Sequence, residues 1–439
     1  MASKQIASPS KQSNRPNLRA ISVVGYKSLV NKQRIEIRPL TILAGANSGG
    51  KSSIMQPILL LKQTLDAPYD PGSLLLGGPN VRLTSADQLL SIKSKSKVKE
   101  FSIGFQIGDR EVELCFRQVS GKGLEIYSNT VTDGKTETVI SMDTDLTGIK
   151  DQLLFKKFGG HLPKKMQEEA KLKVVRDRFF LVVELLDIGI PVLHPGEELA
   201  AMISGLIHVP GLRGNPERNY KTTAVGDTFP GTFEYYVASV INQWQSSNDD
   251  RLSQLGMHLE HLGLTWKVQA KQRDETQVEL KVGRLPRSLR GGAQDLVSIA
   301  DVGFGVSQTL PVLVALLAAK PGQLVYIEQP EIHLHPRAQR ALATIFAEAA
   351  KRGVIVIVET HSALLLRGIQ TLVAKDELLP GLIKLHWFQR DPSGATKITS
   401  ADLDNAGAFG DWPEDFDDVE LASDNEYLSA AEAKLFGKI

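Results

Sequence analysis

The chain has 439 residues, of which 42% are hydrophobic and 23% are charged, as is ordinary for a soluble globular protein. The formal net charge of +1 excludes a global field directed at nucleic acid or at a membrane surface. The single cysteine, Cys115, excludes an internal disulfide framework and a cysteine-rich zinc site, which fits a reducing compartment. The longest apolar run, residues 309–319, is about half of a bilayer span. We therefore expect a cytoplasmic protein with no membrane partner.

The first residues predict a tail followed by strands. Residues 1–17 are polar and lack the apolar core of a secretory signal, so we expect them to be disordered. Strand patterns follow at residues 18–24 and 33–37. Residues 40–43 are continuously apolar and predict a buried strand that enters a glycine-rich stretch.

That stretch, residues 45–52, matches the phosphate-loop pattern G-x-x-x-x-G-K-[ST] without a mismatch. An apolar periodic run after it predicts a helix from Lys51 to about Leu65. The strand–loop–helix context favours a phosphate loop over a chance glycine turn, because backbone N–H groups at a helix N-terminus attract phosphate oxygens. Lys51 is predicted to reach the terminal phosphates and the Ser52 hydroxyl a Mg²⁺ ion. The predicted nucleotide-binding residues here are Gly45, Ala46, Asn47, Ser48, Gly49, Gly50, Lys51, Ser52 and Ser53.

The next segment is rich in lysine and then in strand patterns. Lys93, Lys95, Lys97 and Lys99 predict either a solvated loop or a contact with nucleic-acid phosphates. Residues 101–140 alternate with a period of two between glycine turns, which predicts an antiparallel meander. Cys115 lies in this alternation, and we expect it in the core.

The region after the meander has a helical period over residues 150–207, with a charged segment at 164–178. A basic, glycine-rich loop, residues 208–220, ends it. Helical patterns follow at 233–244 and 250–262, and residues 264–282 return to strand alternation.

The last third predicts a parallel sheet. Residues 323–328 and 354–359 are short continuous apolar strands, joined by a helix over about 336–352. Each strand ends in a carboxylate, Glu328 or Glu359. We expect the Glu328 strand to lie next to the phosphate-loop strand, where its carboxylate would orient Mg²⁺. Ligands of such sheets bind at the carboxyl ends of the strands, where these groups would converge.

Four further side chains in this region are candidates for a chemical role. Glu331, His333 and His335 form either a metal cluster or, as is more typical of a strand–turn–helix, ordinary turn contacts. His361 follows the second strand, where an imidazole could contact a terminal phosphate.

Together these segments resemble the ABC-type ATPase heads of structural-maintenance, recombination-repair and overcoming-lysogenization-defect ATPases. The resemblance implies an α/β fold: a mixed or parallel phosphate-loop sheet with helices, an antiparallel β lobe and an inserted helical region. It implies ATP and Mg²⁺ as cofactors, Ser52 and Glu328 as metal ligands, and catalytic roles for Glu328, Gln329, Glu331 and His361. It also implies a signature segment that caps the nucleotide of a second subunit in a homodimer or higher even-numbered oligomer, with the residues Gly305, Ser307 and Gln308.

The resemblance divides the chain into five parts. These are the tail (1–17), the first part of the head (18–100), the β lobe with its helical insertion (101–290), the second part of the head (291–400) and an acidic C-terminal segment (401–439).

More narrowly, Glu-Gln-Pro-Glu-Ile-His-Leu-His-Pro at 328–336 and the late Gly-Asp-Trp-Pro at 410–413 resemble anti-phage defence ATPases such as the Septu ATPase subunits. This implies a partner effector, a nuclease of the HNH type. Two departures from the family pattern stand out. In the signature segment, Gly305 takes the place of the usual serine and Ser307 that of the second glycine. In addition, Gln329 occupies the place of the usual catalytic glutamate. Glutamine orients a water but cannot take its proton, so we expect slow hydrolysis unless Glu331 supplies the base.

Other functions are weighed against this reading. A DNA-binding ATPase of recombination or repair is the alternative, with DNA contacts through residues 93–99, 164–173 or the Arg213/Arg218 loop. Its long-armed form is disfavoured, because no sustained heptads occur between residues 65 and 295. Nothing in the sequence asks for a membrane transporter partner, and no acidic nuclease cluster follows His361.

Overall fold

The structure is a computed structural model that describes residues 18–93, 96–158, 168–186, 188–287, 295–410, 425–432 and 434. The predicted N-terminal tail, Lys95, residues 164–167 and residues 411–424 of the acidic segment lie outside this part of the chain.

The strands and helices are numbered in chain order. The strands are β1 (Leu18–Val24), β2 (Gln33–Glu36), β3 (Leu40–Gly45), β4 (Ile92–Lys93), β5 (Ser96–Lys97), β6 (Glu100–Ile107), β7 (Arg110–Val119), β8 (Gly123–Asp133), β9 (Thr136–Ser141), β10 (Leu172–Asp177), β11 (Phe180–Leu185), β12 (Pro191–Leu193), β13 (Ile207–Val209), β14 (Tyr220–Lys221), β15 (Val268–Gln272), β16 (Gln277–Gly283), β17 (Leu296–Ser298), β18 (Leu324–Glu328), β19 (Ile355–Thr360), β20 (Ile383–Arg390) and β21 (Thr396–Ala401). The α-helices are α1 (Lys51–Asp66), α2 (Lys150–Phe158), α3 (Glu197–Ser204), α4 (Val237–Ser246), α5 (Asp250–His261), α6 (Phe304–Ala318), α7 (Pro336–Lys351) and α8 (Ala363–Ala374).

The central sheet has the order β13-β18-β19-β3-β20-β21 and is parallel except for the β20–β21 pair. The predicted parallel sheet is therefore confirmed, but the predicted position of the Glu328 strand is wrong. Strand β19 lies between β18 and β3, so Glu359, and not Glu328, is on the strand beside the phosphate-loop strand. Strands buried on both faces look alike in sequence, so their apolar runs do not encode the lateral order.

Both faces of this sheet are covered. Leu43 and Ile357 belong to one core cluster together with Ile54 of α1. Ile42 and Val358 point to the opposite face, in a cluster that includes residues of α6 and α7. Successive side chains of a strand alternate between the two faces, so each strand contributes to both cores. The phosphate-loop helix α1 therefore lies over the face that carries Leu43.

The predicted meander is confirmed, and it belongs to a larger antiparallel sheet of order β2-β1-β6-β7-β8-β9. The pairing of β1 with β6 joins the two sides of the predicted boundary at residues 100 and 101. Cys115 is a correction, because it is half-buried on the outer face of β7, with Sγ 3.9 Å from Glu100 Oε2. Its neighbours Leu114 and Phe116 take the inward positions of the alternation.

The helical prediction for residues 150–207 is a second correction, since only parts of that region are helical. Helices α2 and α3 flank an antiparallel sheet of β10, β11 and β12. Val174 and Val175 pair with Val183 and Val182 across a tight turn at Arg178, whose φ is 51°. These β-branched pairs fit a pleated surface, and they override the helical spacing of the charged residues.

The remaining elements confirm the sequence patterns. The helix predicted over 233–244 begins as a 3₁₀ turn at Phe233–Tyr236 and continues as α4, and α5 matches the pattern at 250–262. Strands β15 and β16 match the alternation at residues 264–282, although β16 ends one residue later, at Gly283. Strands β4 and β5 form a short hairpin in the lysine-rich segment, whose contact with nucleic acid stays a prediction. Across the described ranges, every helix is too short or too polar to cross a membrane.

Candidate nucleotide site

The phosphate loop connects the end of β3 at Gly45 to the start of α1 at Lys51. Gly50, the residue before the helix, has φ 102° and no side chain caps the helix. The first turn of α1 also contains no acidic residue. A helix N-terminus without side-chain caps leaves its N–H groups available to an anion, so this end of α1 fits a phosphate.

The loop glycines are packed against the C-terminal hairpin β20–β21. A Cβ atom on Gly45 or Gly49 would lie 2.3 or 2.7 Å from the carbonyl oxygen of Phe388. A Cβ on Gly50 would lie 2.2 Å from Thr396 Oγ1. Gly45 and Gly49 are therefore required by the backbone of Phe388, and Gly50 by the side chain of Thr396, before any ligand arrives.

Lys51 is 3% exposed, and its ammonium donates to the carbonyl oxygens of Gly45 and Ala46 at 3.0 and 2.9 Å. Burial lowers the pKa of Lys51, while the charges of Glu359 and Glu331 act in the opposite direction. The positive charge therefore lies inside the loop, close to two carboxylates.

Ser52 and Glu359 are in direct contact. The Ser52 hydroxyl donates to Glu359 Oε1 at 2.9 Å, and the Tyr326 hydroxyl donates to Glu359 Oε2 at 2.9 Å. Burial raises the pKa of Glu359, and the negative charge of Glu328 raises it further. Burial also raises the pKa of Tyr326, so its hydroxyl keeps its proton. Glu359 thus holds the side chain that was predicted to bind the metal.

Glu328 has both carboxylate oxygens engaged from one side. Oε1 lies 3.1 Å from His208 Nε2, and Oε2 accepts from the N–H of Gly211 at 3.1 Å. Burial acts to raise the pKa of Glu328, but the contacts with His208 and Gly211 outweigh it and the pKa is lowered. The carboxylate is therefore kept ionised, the form that binds a cation.

Glu331 and His361 are joined by a hydrogen bond. Glu331 Oε1 accepts from the backbone N–H of His361 at 2.7 Å, while its Oε2 is buried with no hydrogen-bond partner. Burial raises the pKa of Glu331. Burial and the charge of Lys51 lower the pKa of the His361 imidazole, against a contact with the backbone of Gly45. Gln329 follows Glu328 with φ 44° and donates its N–H to the Glu359 carbonyl oxygen at 2.7 Å.

The signature residues make other contacts. Ser307 Oγ donates to the Phe304 carbonyl oxygen at 3.2 Å, and Gln308 Nε2 donates to the Gly214 carbonyl oxygen at 3.1 Å. A Cβ on Gly305 would lie 3.5 Å from the carbonyl oxygen of His333. Within the part of the chain that the structure describes, no hydrogen bond links these residues to the phosphate loop of the same chain.

Arg213 connects the end of β18 to the start of α6. Its guanidinium donates to the carbonyl oxygens of Glu328 at 2.7 Å and Gln308 at 3.1 Å. Arg213 is 7% exposed, and burial lowers its pKa to about 10. The suggested DNA contact through Arg213 is therefore wrong, because the charge is buried. Arg218 in the same loop is exposed and paired with Asp301 at 2.7 Å.

Comparison with known families decides the assignment. Residues 40–367 match the family model described as "AAA domain, putative AbiEii toxin, Type IV TA system", which is well over half of the chain. The chain belongs to this AAA-domain family. The protein is accordingly an ATP-binding ATPase of the AAA type. Among curated proteins, none matches the chain.

Solved structures show the fold of this AAA domain. A crystal structure of an SMC head bound to the C-winged helix domain of ScpA aligns with a TM-score of 0.51 and 13% identity, over 89% of this chain and 99% of that chain. The SMC head domain from Thermotoga maritima aligns with a TM-score of 0.40 and 10% identity, over 88% and 99% of the two chains. An Smc head with an extended coiled coil, bound to the C-terminal domain of ScpA and derived from Pyrococcus furiosus, gives 0.44 and 12%, over 95% and 100%. The first of these likenesses shows that the AAA domain has the mixed α/β fold of SMC heads, as the sequence predicted.

The alternative of a histidine metal cluster finds no support in the described part of this AAA domain. His335 caps α7, with Nδ1 accepting from the N–H of Arg337 at 3.3 Å. The His333 ring lies 5.5 Å from the Phe304 ring. Among the described residues, no group of three or more His, Cys, Asp or Glu is placed to hold a metal ion. Both histidines are thus turn residues.

Several side chains at the site had no predicted role, although Glu359 was expected to lie near it. His208, Tyr326, Glu359 and Arg213 all contact predicted site residues or their backbone. Two of them had a usable signal, because Tyr326 is two residues before Glu328 on one strand and Glu359 ends the other acidic strand. His208 and Arg213 had none, since their contacts depend on an edge strand, β13, that the helical reading of 150–207 did not foresee.

Proposed function

We propose that this AAA domain is an ATP-dependent switch: two copies close head to head around ATP, and the closed form controls an HNH-type nuclease in anti-phage defence. The observation that carries the ATP site is the uncapped N-terminus of α1, flanked by Lys51 and by buried carboxylates. The family description names a toxin of a type IV toxin–antitoxin system, which supports a protein that acts with a partner. The sequence resemblance to Septu ATPase subunits supports the defence role.

In this proposal the N–H groups of the loop and Lys51 hold the phosphates, while Ser52 and Glu328 hold Mg²⁺. Ser52 and Glu328 fit Mg²⁺, because a hydroxyl and an ionised carboxylate are oxygen ligands that Mg²⁺ takes. The bound ion would neutralise charge on the phosphates. Lys51 has to exchange the carbonyl oxygens of Gly45 and Ala46 for phosphate oxygens.

The site lacks a general base at the usual position for ATP hydrolysis. Gln329 orients water but accepts no proton. Glu331 is the stronger candidate for the base, because its raised pKa brings it nearer to neutral pH and its buried Oε2 has no hydrogen-bond partner. His361 would contact the terminal phosphate. This arrangement supports slow hydrolysis, in which the protein keeps ATP bound for a long time before it is hydrolysed.

The dimer rests on the signature helix. Gly305, Ser307 and Gln308 lie on α6, and the side-chain hydrogen bonds of Ser307 and Gln308 run to residues away from their own phosphate loop. A nucleotide that contacts both subunits in the closed form favours closure by its differential affinity. We therefore infer that these residues act on the ATP of the other subunit.

The experiment measures ATP affinity, ATP turnover and molar mass in solution, with Mg²⁺ and with and without DNA. Lys51→Ala is expected to abolish ATP binding. Gln329→Glu is expected to raise turnover by about 10²–10⁴-fold, the usual contribution of a general base. Glu331→Gln in the same background is expected to leave that gain intact, whereas alone it lowers the residual rate.

Each outcome bears on one part of the proposal. A wild-type chain that binds no ATP in the presence of Mg²⁺ sinks the proposal as a whole. A molar mass that does not rise with ATP removes the head-to-head switch and leaves a monomeric ATPase. Turnover that requires DNA would favour the recombination or repair ATPase, whose fold-level support is the SMC-head architecture.

A further inference from the structure

Two buried rings are stacked beside Glu328, one of the two proposed Mg²⁺ ligands. Strand β13 runs parallel to β18 and places His208 directly opposite Tyr326. The two ring centroids are 5.5 Å apart and the planes differ by 9°. His208 is 2% exposed and Tyr326 is 0% exposed. Tyr326 and Glu328 are two residues apart on one strand and therefore face the same side of the sheet.

The tautomer of His208 follows from its contact with Asn80, which lies at the ring nitrogen opposite the one that faces Glu328. Asn80 Nδ2 lies 3.0 Å from His208 Nδ1 and 3.0 Å from the carbonyl oxygen of Gly231. A carbonyl oxygen only accepts, so the amide must direct its NH₂ group toward Gly231 and His208. His208 Nδ1 is therefore an acceptor, and the ring hydrogen is on Nε2, which donates to Glu328 Oε1 at 3.1 Å.

Tyr326 acts on the other predicted ligand through Glu359. Its hydroxyl donates to Oε2 of Glu359, and Oε1 of Glu359 accepts the one hydrogen of the Ser52 hydroxyl. With that hydrogen directed at Glu359, the lone pairs of Ser52 Oγ remain free for a cation. The same oxygen could otherwise rotate its hydrogen toward the ligand position.

We propose that the stacked pair of His208 and Tyr326 positions both Mg²⁺ ligands, Glu328 directly and Ser52 through Glu359. The inference rests on the proposed Mg²⁺–ATP function of the site. His208, Tyr326 and Glu359 are positioning residues, since none of them is assigned to touch the metal or the nucleotide. Partners of this kind fix the direction of a ligand's lone pairs, and their loss typically costs about 10–100-fold in metal affinity or activity.

A purely structural role for the stack predicts something different. Loss of a buried hydrogen bond would then lower the stability of the fold, with no specific effect on Mg²⁺. The positioning role predicts that the gain in nucleotide affinity caused by Mg²⁺ falls, while the affinity without Mg²⁺ is kept.

The test uses the full chain and a non-hydrolysable ATP analogue, titrated by calorimetry in EDTA and in Mg²⁺. Tyr326→Phe keeps the ring stack and removes only the hydroxyl. His208→Leu removes the donor, whereas His208→Gln keeps an N–H donor on a side chain of similar reach. Tyr236→Phe is the matched control, because its hydroxyl donates to the Pro230 carbonyl oxygen away from the site.

We expect Tyr326→Phe and His208→Leu to reduce the Mg²⁺-dependent gain in affinity by about 10–100-fold. Tyr236→Phe should keep the wild-type gain, and His208→Gln should recover most of it. If Tyr326→Phe folds and retains the full gain, the positioning role is overturned. A wild-type chain that shows no gain from Mg²⁺ would instead refute the proposed function, so the two failures are distinguishable.

A second readout needs no ligand. In ¹⁵N-histidine-labelled protein, the signal lost in His208→Gln should show a protonated Nε2 and an unprotonated Nδ1. Asn80→Asp, which replaces the NH₂ donor by an acceptor, should place a hydrogen on Nδ1. A wild-type signal with the hydrogen on Nδ1 alone overturns the inference, because Glu328 would then receive no hydrogen bond from His208.

Discussion

Replacing Gly49 by alanine separates two reasons for a glycine in the phosphate loop. If the glycine only gives room to a phosphate, Gly49→Ala weakens ATP binding and leaves the apo protein as stable as before. The structure predicts a loss of stability without ATP, because the new Cβ would lie 2.7 Å from the Phe388 carbonyl oxygen. Ordinary contact begins at 3.4 Å, and the obstacle is backbone, which cannot rotate away.

The size of the effect follows from the clash. The φ of Gly49 is not in the left-handed region, so alanine costs little through the backbone conformation itself. The loop or β20 has to shift, and overpacking of this kind typically costs about 1–3 kcal/mol. Gly226 is the matched control, because its φ is also ordinary and a Cβ there meets no atom within 4 Å. Gly226→Ala should be neutral or stabilise by up to about 1 kcal/mol.

The assay is denaturant unfolding of the apo chain, followed by ATP titration of the folded variants. We expect the free energy of unfolding to fall in Gly49→Ala only, and ATP affinity to fall with it because the loop amides are displaced. An apo Gly49→Ala protein as stable as the wild type would refute the packing argument. The glycine would then serve the phosphate alone.

Two further predictions concern buried charge. Asp66→Ala removes the carboxylate that pairs with the ammonium of Lys62, which is 0% exposed and lies 3.0 Å from Asp66. We expect the free energy of unfolding, measured with denaturant, to fall by about 3–5 kcal/mol. Asp109→Ala breaks only the exposed pair with Arg19 and should cost no more than about 1 kcal/mol; equal losses would contradict the argument. Burial lowers the pKa of His386 from 6.5 to about 4, so the unfolded chain takes up the proton first as the pH falls. Stability should therefore fall between pH 6.5 and 4 by about 3 kcal/mol from this group, and a pH series in which His386→Gln keeps the wild-type slope would rule the origin out.

The local elements of the site were predictable from the sequence. Residues 40–52 carry a continuous apolar strand, a complete loop pattern and a helical period within a short span, and the structure has β3 and α1 there. The strands that end at Glu328 and near Glu359 were predicted for the same reason, because an apolar run bounded by polar residues is local information.

What the sequence could not supply is contact between distant segments. The order β18-β19-β3 puts Glu359 against Ser52, although both acidic strands have the same apolar character. The carbonyl oxygen of Phe388 that requires Gly45 and Gly49 comes from a strand more than three hundred residues further along the chain. Neither contact produces a periodic pattern in the sequence from which it could be predicted.

The 208–213 segment shows that composition alone does not predict the role of residues that act through contacts with distant segments. The sequence predicted that it belongs to a basic, glycine-rich loop with a possible DNA contact, yet three of its residues contact three different atoms of Glu328. His208 contacts Oε1, Gly211 donates to Oε2 and Arg213 donates to the backbone carbonyl oxygen. Arg213 also donates to the carbonyl oxygen of Gln308 on the signature helix. One buried guanidinium therefore links the signature helix to the backbone of Glu328, and charged hydrogen bonds of this kind are costly to leave unmade.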